Sequence, residues 1–409
     1  MNCRHCRAPL NLLFLDLGTA PPSNAYVGAA ELRAPEMHYP LRVCVCESCW
    51  LVQTEDYARR DELFAADYAY FSSYSESWLA HAREYVGEVV DRFGLDRSSH
   101  VVEIAANDGY LLQYVRERGI PCLGIEPTAS TAAAARQRGI RVREQFFGVA
   151  LAGELRAANE TADLMIANNV LAHVPDINDF VSGFAQALKP AGVATFEFPH
   201  LLRLVEQVQF DTIYHEHYSY LSLLAVQRIF NHCGLRLFDV QELGTHGGSL
   251  RVFAQRADTG QRPEAAAVGA LLERERAAGM GDAAYYRGFQ ARAAQVRDDF
   301  LGFLIGARRA GKRVAAYGAA AKGNTLLNYA GVRADAIEFV AERNPAKQGR
   351  YLPGSRIPIV PEAQLRQARP DYVLILPWNL RTELQAQLAY VRDWGGQLVT
   401  AVPRLELLA

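Results

Sequence analysis

The chain has 409 residues, half of them hydrophobic, and a net charge of −2 at pH 7. Such a length calls for two or three domains, each able to bury its own core. The balanced charge gives no footprint for a nucleic acid polymer or an anionic membrane surface, and no apolar run is long enough to span a bilayer.

Met1-Asn2-Cys3-Arg4-His5-Cys6 lacks the apolar core of a signal peptide, so a cytoplasmic, monomeric protein is expected, with its seven cysteines as thiols or metal ligands. Cys3 and Cys6 form one C-x-x-C pair, and Cys46 and Cys49 form another. Each pair can hold two corners of a tetrahedron, so together they predict one zinc site. Four thiolates leave no corner for water, which makes that zinc structural. Cys44 alternates with Cys46 on an expected strand over 41–46 and is read as a bystander. Leu15-Asp16-Leu17-Gly18 and Pro21-Pro22-Ser23-Asn24-Ala25-Tyr26 read as loop.

Tyr68 to Ser75 is a cluster of aromatic and hydroxyl residues, fit for core or for a ligand wall, and a helix is expected over 78–93. Val101-Val102-Glu103-Ile104 then runs as a strand into the turn Ala105-Ala106-Asn107-Asp108-Gly109 and a Leu-rich helix. Such a turn points backbone N–H groups at a ligand. A second strand ends at Glu126, about 20 residues on, where an acidic residue can bind a ribose. A dinucleotide would need three glycines at the turn, and only Gly109 is present. The pattern therefore points to S-adenosylmethionine (SAM), which carries no phosphate; an ordinary βαβ unit is the plain alternative. Helices over 129–138, 151–158 and 180–188 alternate with strands over 162–167 and 192–198, which predicts a parallel sheet with its site at the strand C-terminal ends. Asn168, Asn169 and His173 stand at such an end.

Asp211 to Tyr220 is the densest polar stretch. Its His215-Glu216-His217 lacks the spacing of a metal-binding helix, and acid/base chemistry suits it better. Gly244 to Arg251 is a Gly-rich turn entering a strand. Residues 262–309 read as helical, broken near Gly279. Strands over 313–317, 337–341, 372–376 and 397–402 then mark a second α/β domain. Its first turn, Gly318 to Thr325, has the layout of a phosphate cradle with Lys322 adding charge.

These motifs together resemble the sugar C-methyltransferases of deoxysugar biosynthesis. The resemblance spans essentially the whole chain. It is carried by the paired C-x-x-C, Tyr-Phe-Ser-Ser-Tyr-Ser, Glu-Ile-Ala-Ala-Asn-Asp-Gly, Tyr-His-Glu-His, His-Gly-Gly-Ser-Leu-Arg, Tyr-Gly-Ala-Ala-Ala-Lys-Gly-Asn-Thr, Asn-Pro-Ala-Lys-Gln-Gly and Leu-Pro-Trp-Asn. Ala105 stands where that family commonly has Gly, and Glu342 where Asp is usual.

The resemblance implies an α/β protein in three parts: a zinc-binding domain (residues 1–66), a class I SAM methyltransferase domain of Rossmann-like fold (67–270) and a second Rossmann-like domain (271–409) that helps hold a nucleoside-diphosphate sugar. It implies His217 as catalytic base, supported by Tyr214, Glu216, Tyr70 and His173. The residues expected at SAM are Glu103, Ala105, Asn107, Asp108, Gly109, Glu126, Pro127, Phe146 and Asn168. Those expected at the sugar nucleotide are His246, Arg251, Lys322, Asn324, Lys347 and Tyr351. The expected reaction is C-methylation of a 4-keto sugar, at C3 in the first instance. Methylation at C5, O-methylation and a non-catalytic nucleotide-sugar binder are the alternatives.

Overall fold

A computed structural model describes residues 1–57 and 71–408. Tyr70, expected near the reacting centre, and Tyr68 lie outside the described residues. Among the described residues three sheets organise the protein.

The first sheet is antiparallel: β1 (Leu12–Ala20), β2 (Tyr39–Val45) and β3 (Val52–Thr54). β1 corrects the expected loop, since Leu15 to Gly18 lie within it. Its alternation is hidden because Phe14 and Leu15 are both buried, at a register shift between Leu13 and Leu15. Such a bulge puts two neighbours on one face and erases the period-two signal. A second shift carries Gly18 at a φ of +74°.

The middle sheet has a parallel centre of β4 (Val101–Ile104), β5 (Cys122–Ile125), β6 (Val142–Arg143), β7 (Ala162–Asn168) and β8 (Leu188–Pro199). All four residues of β4 are buried, as a strand covered on both faces requires. The backbone then leaves this sheet for β9 (Ser219–Tyr220), which pairs with β3 in the first sheet. It returns with β10 (Leu235–Leu243) and β11 (Ser249–Arg256), which close one edge antiparallel against β8. The order is β10-β11-β8-β7-β4-β5-β6, so the direction of winding reverses between β4 and β7. A ligand crevice opens outside the carboxyl ends at such a point.

Helices Ala266–Ala277, Ala283–Arg287 and Phe289–Arg309 link the two α/β units. They also brace the first sheet: the Phe14 ring stacks on Phe289 at 4.5 Å and meets Tyr286 edge-on at 5.9 Å. The third sheet runs through β12 (Val314–Tyr317), β13 (Val340–Glu342), β14 (Ile359–Pro361), β15 (Tyr372–Ile375), β16 (Gln397–Thr400) and β17 (Glu406–Leu408). Its first five strands are parallel, and β17 closes one edge antiparallel. One apolar core reaches from Cys3 through the middle sheet to Val402, so the three units pack as one body. No helix among the described residues is long and apolar enough to cross a membrane.

Candidate active site and metal site

Cys3 and Cys6 lie on the first turn of the protein, and Cys46 and Cys49 on the turn between β2 and β3. Their four sulfurs fall within 4.8 Å of one another, with Cys3 to Cys49 at 3.5 Å and Cys6 to Cys46 at 3.4 Å. The bond between Cys3 and Cys49 lowers the Cys3 thiol and raises Cys49, so the two sulfurs compete for one proton. A dication resolves that conflict, and a four-sulfur donor set suits zinc. Gln53 Nε2 donates to Cys3 Sγ at 3.2 Å, as an outer-sphere partner of a thiolate should. Cys44, buried on β2, stands apart from the four.

At the end of β4 the backbone turns through Ala105, Asn107 and Gly109, all at positive φ (56°, 49° and 78°). Gly109 suits this turn because L side chains rarely adopt its φ, and a Cβ would also crowd Ala135 Cβ at 3.3 Å. Glu126, at the end of β5, accepts the N–H groups of Asn107 and Thr128, each at 2.9 Å. Glu103 is buried below the turn, and desolvation first, then the Asp108 charge, holds its carboxyl well above the usual range. Glu103 Oε2, Asp108 Oδ1 and Asn168 Oδ1 are buried acceptors without partners among the described residues. Hydroxyl and amino donors of a bound SAM fit that need. Pro127 follows Glu126 half-buried, whereas Phe146 is 42% exposed on the loop after β6.

The segment after the 3-10 turn Phe210–Thr212 carries the titratable cluster. His217 Nδ1 donates to the Thr212 carbonyl at 2.9 Å, and Nε2 faces the Tyr214 hydroxyl at 2.8 Å. A carbonyl can only accept, so the network assigns the proton to Nδ1 and the lone pair to Nε2. Burial holds His217 well below its ordinary value and takes His173 down to about 4. Both rings are therefore neutral at pH 7, with centroids 4.5 Å apart. His173 Nδ1 in turn donates to the Glu216 carbonyl oxygen at 2.8 Å.

The Glu216 carboxyl turns away from the imidazole and accepts from Asn24 Nδ2 at 3.2 Å. The ring is fixed by Thr212 and Tyr214 instead. Glu216 Oε2 is buried and unpartnered among the described residues, and burial raises this carboxyl above its usual range.

All three units hold this segment. Thr54 of β3 donates to the His217 carbonyl at 3.1 Å, Asn24 meets Glu216, and Thr325 of helix Ala321–Tyr329 donates to the Ile213 carbonyl at 2.8 Å. None of Asn24, Thr54 or Thr325 stands out in sequence, because each contact joins residues more than a hundred positions apart.

The Gly-rich turn before β11 forms another wall. His246 sits at a φ of +55°, accepts from Asn169 Nδ2 at 3.3 Å and lies against the Trp78 ring. A Cβ at Gly247 would meet the Trp378 ring at 2.5 Å. Trp378 Nε1 donates to Asp211 Oδ2 at 2.7 Å, and Lys322 Nζ lies 4.7 Å from the Trp378 ring centroid while donating to Asn379 Oδ1 at 2.8 Å. Burial takes Lys322 down to about 8 and Asp211 up to about 7. After burial, the Lys322 charge also depresses His246; in His217 burial and the neighbouring His173 act ahead of it.

Arg251 is different. Its guanidinium is buried, pairs with Glu197 at 2.8 Å and Glu88 at 3.5 Å, and lies over the Tyr85 ring at 4.4 Å. It anchors the strand that carries the turn. Asn324, Lys347 and Tyr351 gather instead around the N-terminal loop. Asn324 Nδ2 donates to the Ser23 carbonyl at 2.6 Å, Lys347 lies over the Tyr26 ring, and Tyr351 exchanges main-chain bonds with Val27 at 2.9 and 3.0 Å.

Comparison with known proteins gives three family matches in order along the protein. Residues 3–64 match a zinc binding domain, residues 78–240 a methyltransferase domain, and residues 244–403 a C-methyltransferase C-terminal domain. The protein is 34% identical over its full length to the C-methyltransferase NovU of Streptomyces niveus, covering 96% of that relative. It is 28% identical over 127 residues to a trans-aconitate 2-methyltransferase of Mycobacterium tuberculosis, covering 30% of its own length and 46% of that enzyme. An S-adenosylmethionine-dependent methyltransferase of Clostridium acetobutylicum aligns over 44% of the present protein and 92% of its own length, at 12% identity and a TM-score of 0.36. With a full-length relative at 34% identity and all three parts matched in order, the protein belongs to the family of SAM-dependent C-methyltransferases that carry an N-terminal zinc-binding domain.

Proposed function

We propose that this protein is a C-methyltransferase of a nucleoside-diphosphate 4-keto-deoxysugar, acting at a carbon next to the ketone, C3 in the first instance. The observation that carries the reading is the His217 imidazole, fixed as a neutral base with its lone pair on Nε2. A ketone at C4 acidifies the hydrogens on C3 and C5. His217 Nε2 takes one of them, and the C–H electrons become the enolate with its charge on the C4 oxygen. Tyr214, already donating toward Nε2, can redirect its O–H to that oxygen, which binds a donor more tightly as it gains charge. Tyr70 is proposed as a second donor. Bound SAM supplies an electrophilic methyl carbon on a sulfonium centre. Glu126 is proposed to hold the ribose, exchanging the Asn107 and Thr128 N–H groups for hydroxyls. Asn168 and the buried Glu103 are proposed to complete the pocket.

The sugar nucleotide is proposed to lie between the two α/β domains, with Lys322 at its phosphates. The depressed Lys322 and raised Asp211 support this: burial strips the ammonium of solvation, and an arriving anion replaces it. His246 is proposed to face the same ligand, whereas Asn324, Lys347 and Tyr351 pack on the N-terminal loop beside it and Arg251 anchors β11. Mass spectrometry after incubation with SAM and a panel of 4-keto nucleotide sugars tests the reading. A gain of one methyl on carbon, lost when the ketone is reduced, is expected. Transfer to a hydroxyl, or binding of SAM with no transfer to any keto sugar, would contradict it.

A further inference from the structure

We propose that Thr54 is a positioning residue, through which the four-cysteine module holds the catalytic histidine in place. The inference rests on the reading of His217 as the base. β3 begins three residues after Cys49 and pairs Val52 with Tyr220 and Gln53 with Ser219. β9 lies at the edge of the first sheet, with β3 as its neighbour. The pairing continues past the strand: the Thr54 N–H donates to the Tyr218 carbonyl at 3.1 Å and the Thr54 hydroxyl to the His217 carbonyl at 3.1 Å. Thr54 is 3% exposed, so water does not compete for that bond.

On its other side Thr54 is tied to the metal turn. Arg4 stands between the ligands Cys3 and Cys6. Its Nη2 donates to the Thr54 carbonyl at 2.9 Å, and its guanidinium lies over the Tyr218 ring. Its main-chain N–H donates to Gln53 Oε1 at 2.9 Å, while Gln53 Nε2 donates to Cys3 Sγ at 3.2 Å. A continuous run of buried hydrogen bonds therefore joins a metal ligand to the main chain of His217. The imidazole is anchored by the bond from Nδ1 to the Thr212 carbonyl, and the His217 N–H donates to the Tyr214 carbonyl at 2.9 Å. With the His217 backbone held by β3 and the ring held by Thr212, Nε2 is directed at one point in the cleft. Releasing the backbone end lets the ring follow its Cα, and a displacement of about 1 Å can cost a hundredfold in rate.

The test compares Thr54→Val, which keeps the shape and removes the hydroxyl, with Thr54→Ser, which keeps the hydroxyl, in the full-length zinc-loaded enzyme. Thr54→Val is expected to lower kcat by about tenfold to a hundredfold while KM for SAM and for the sugar nucleotide stays within about twofold. Zinc content should stay at one per molecule, and Thr54→Ser should restore kcat to within about threefold of the parent. Exchange of the substrate's acidic hydrogen with deuterated water should fall in step with kcat. An unchanged kcat in Thr54→Val would overturn the proposal. So would a loss that Thr54→Ser does not restore, or one that appears only as a lower Tm. If Thr54→Val does not fold, Thr54→Ala serves with the same expectations. Failure of the base reading would look different, because His217→Asn would then keep hydrogen exchange whatever Thr54 does.

Discussion

The Glu342 carboxylate accepts the Ala319 N–H at 2.8 Å, and so repeats in the second α/β domain the bond that Glu126 makes to Asn107 in the first. In both domains an acidic residue ending the second strand closes on the turn that ends the first. No sequence repeat marks this, since Ala105 to Gly109 and Gly318 to Thr325 share little beyond small residues. The two glutamates nevertheless differ in surroundings. Burial raises Glu126, which is 5% exposed, whereas Glu342 also takes the N–H groups of Arg343 and Asn344 at 2.8 and 2.9 Å. The Ala319 N–H is thus taken from the expected phosphate cradle, whose charge would come from the Lys322 side chain.

Lys322→Ala should therefore raise KM for the sugar nucleotide by about tenfold to a hundredfold, the worth of one charge-assisted hydrogen bond. Affinity for SAM, measured by calorimetry, should not move. An unchanged KM would remove Lys322 from the phosphate site.

Cys46→Ser should lose the metal, seen by elemental analysis, and lower Tm. Cys44→Ser should keep one zinc per molecule, because Cys44 lies outside the four-sulfur cluster. Protein purified without chelator and free of stoichiometric zinc would contradict the assignment.

Ala105 carries a left-handed backbone, with φ at 56°, in the turn that is to receive SAM. An L residue pays roughly 1–2 kcal/mol there, and glycine does not. Ala105→Gly should stabilise the protein by about 1 kcal/mol, offset in part by the freer unfolded state. Calorimetric unfolding should show a Tm higher by roughly 2 °C. A lower Tm would mean that the Ala105 methyl packs more usefully than its backbone is strained.

How much of this is legible in the sequence depends on whether the signal is local. The two C-x-x-C pairs, the turn at Ala105 to Gly109 and Glu126 are local patterns, and the structure brings the cysteines together and sets Glu126 on the turn. Tyr214 and His217 are readable as partners because they lie only three positions apart. β1 is not readable, because its bulge breaks the alternation and Pro21-Pro22 follows it closely. β9 has two residues and exists through its pairing with β3. Asn24 reads as a turn residue until the fold sets it against Glu216, 192 positions away. Arg251 misleads for the converse reason: a lone arginine beside a Gly-rich turn looks like a ligand donor until Glu197 and Glu88 are seen around it.

The role proposed for His217 Nε2 is removal of the acidic hydrogen of the substrate. His217→Asn keeps a polar side chain of similar size, so the fold and the affinities for SAM and sugar nucleotide should persist. The most direct measurement is exchange of that hydrogen with deuterated water, followed by NMR in the absence of methyl transfer. His217→Asn should slow exchange and methyl transfer together, by roughly 10² to 10⁴. Exchange that survives while methyl transfer fails would contradict it, and would move the proton to Tyr214, Tyr70 or His173.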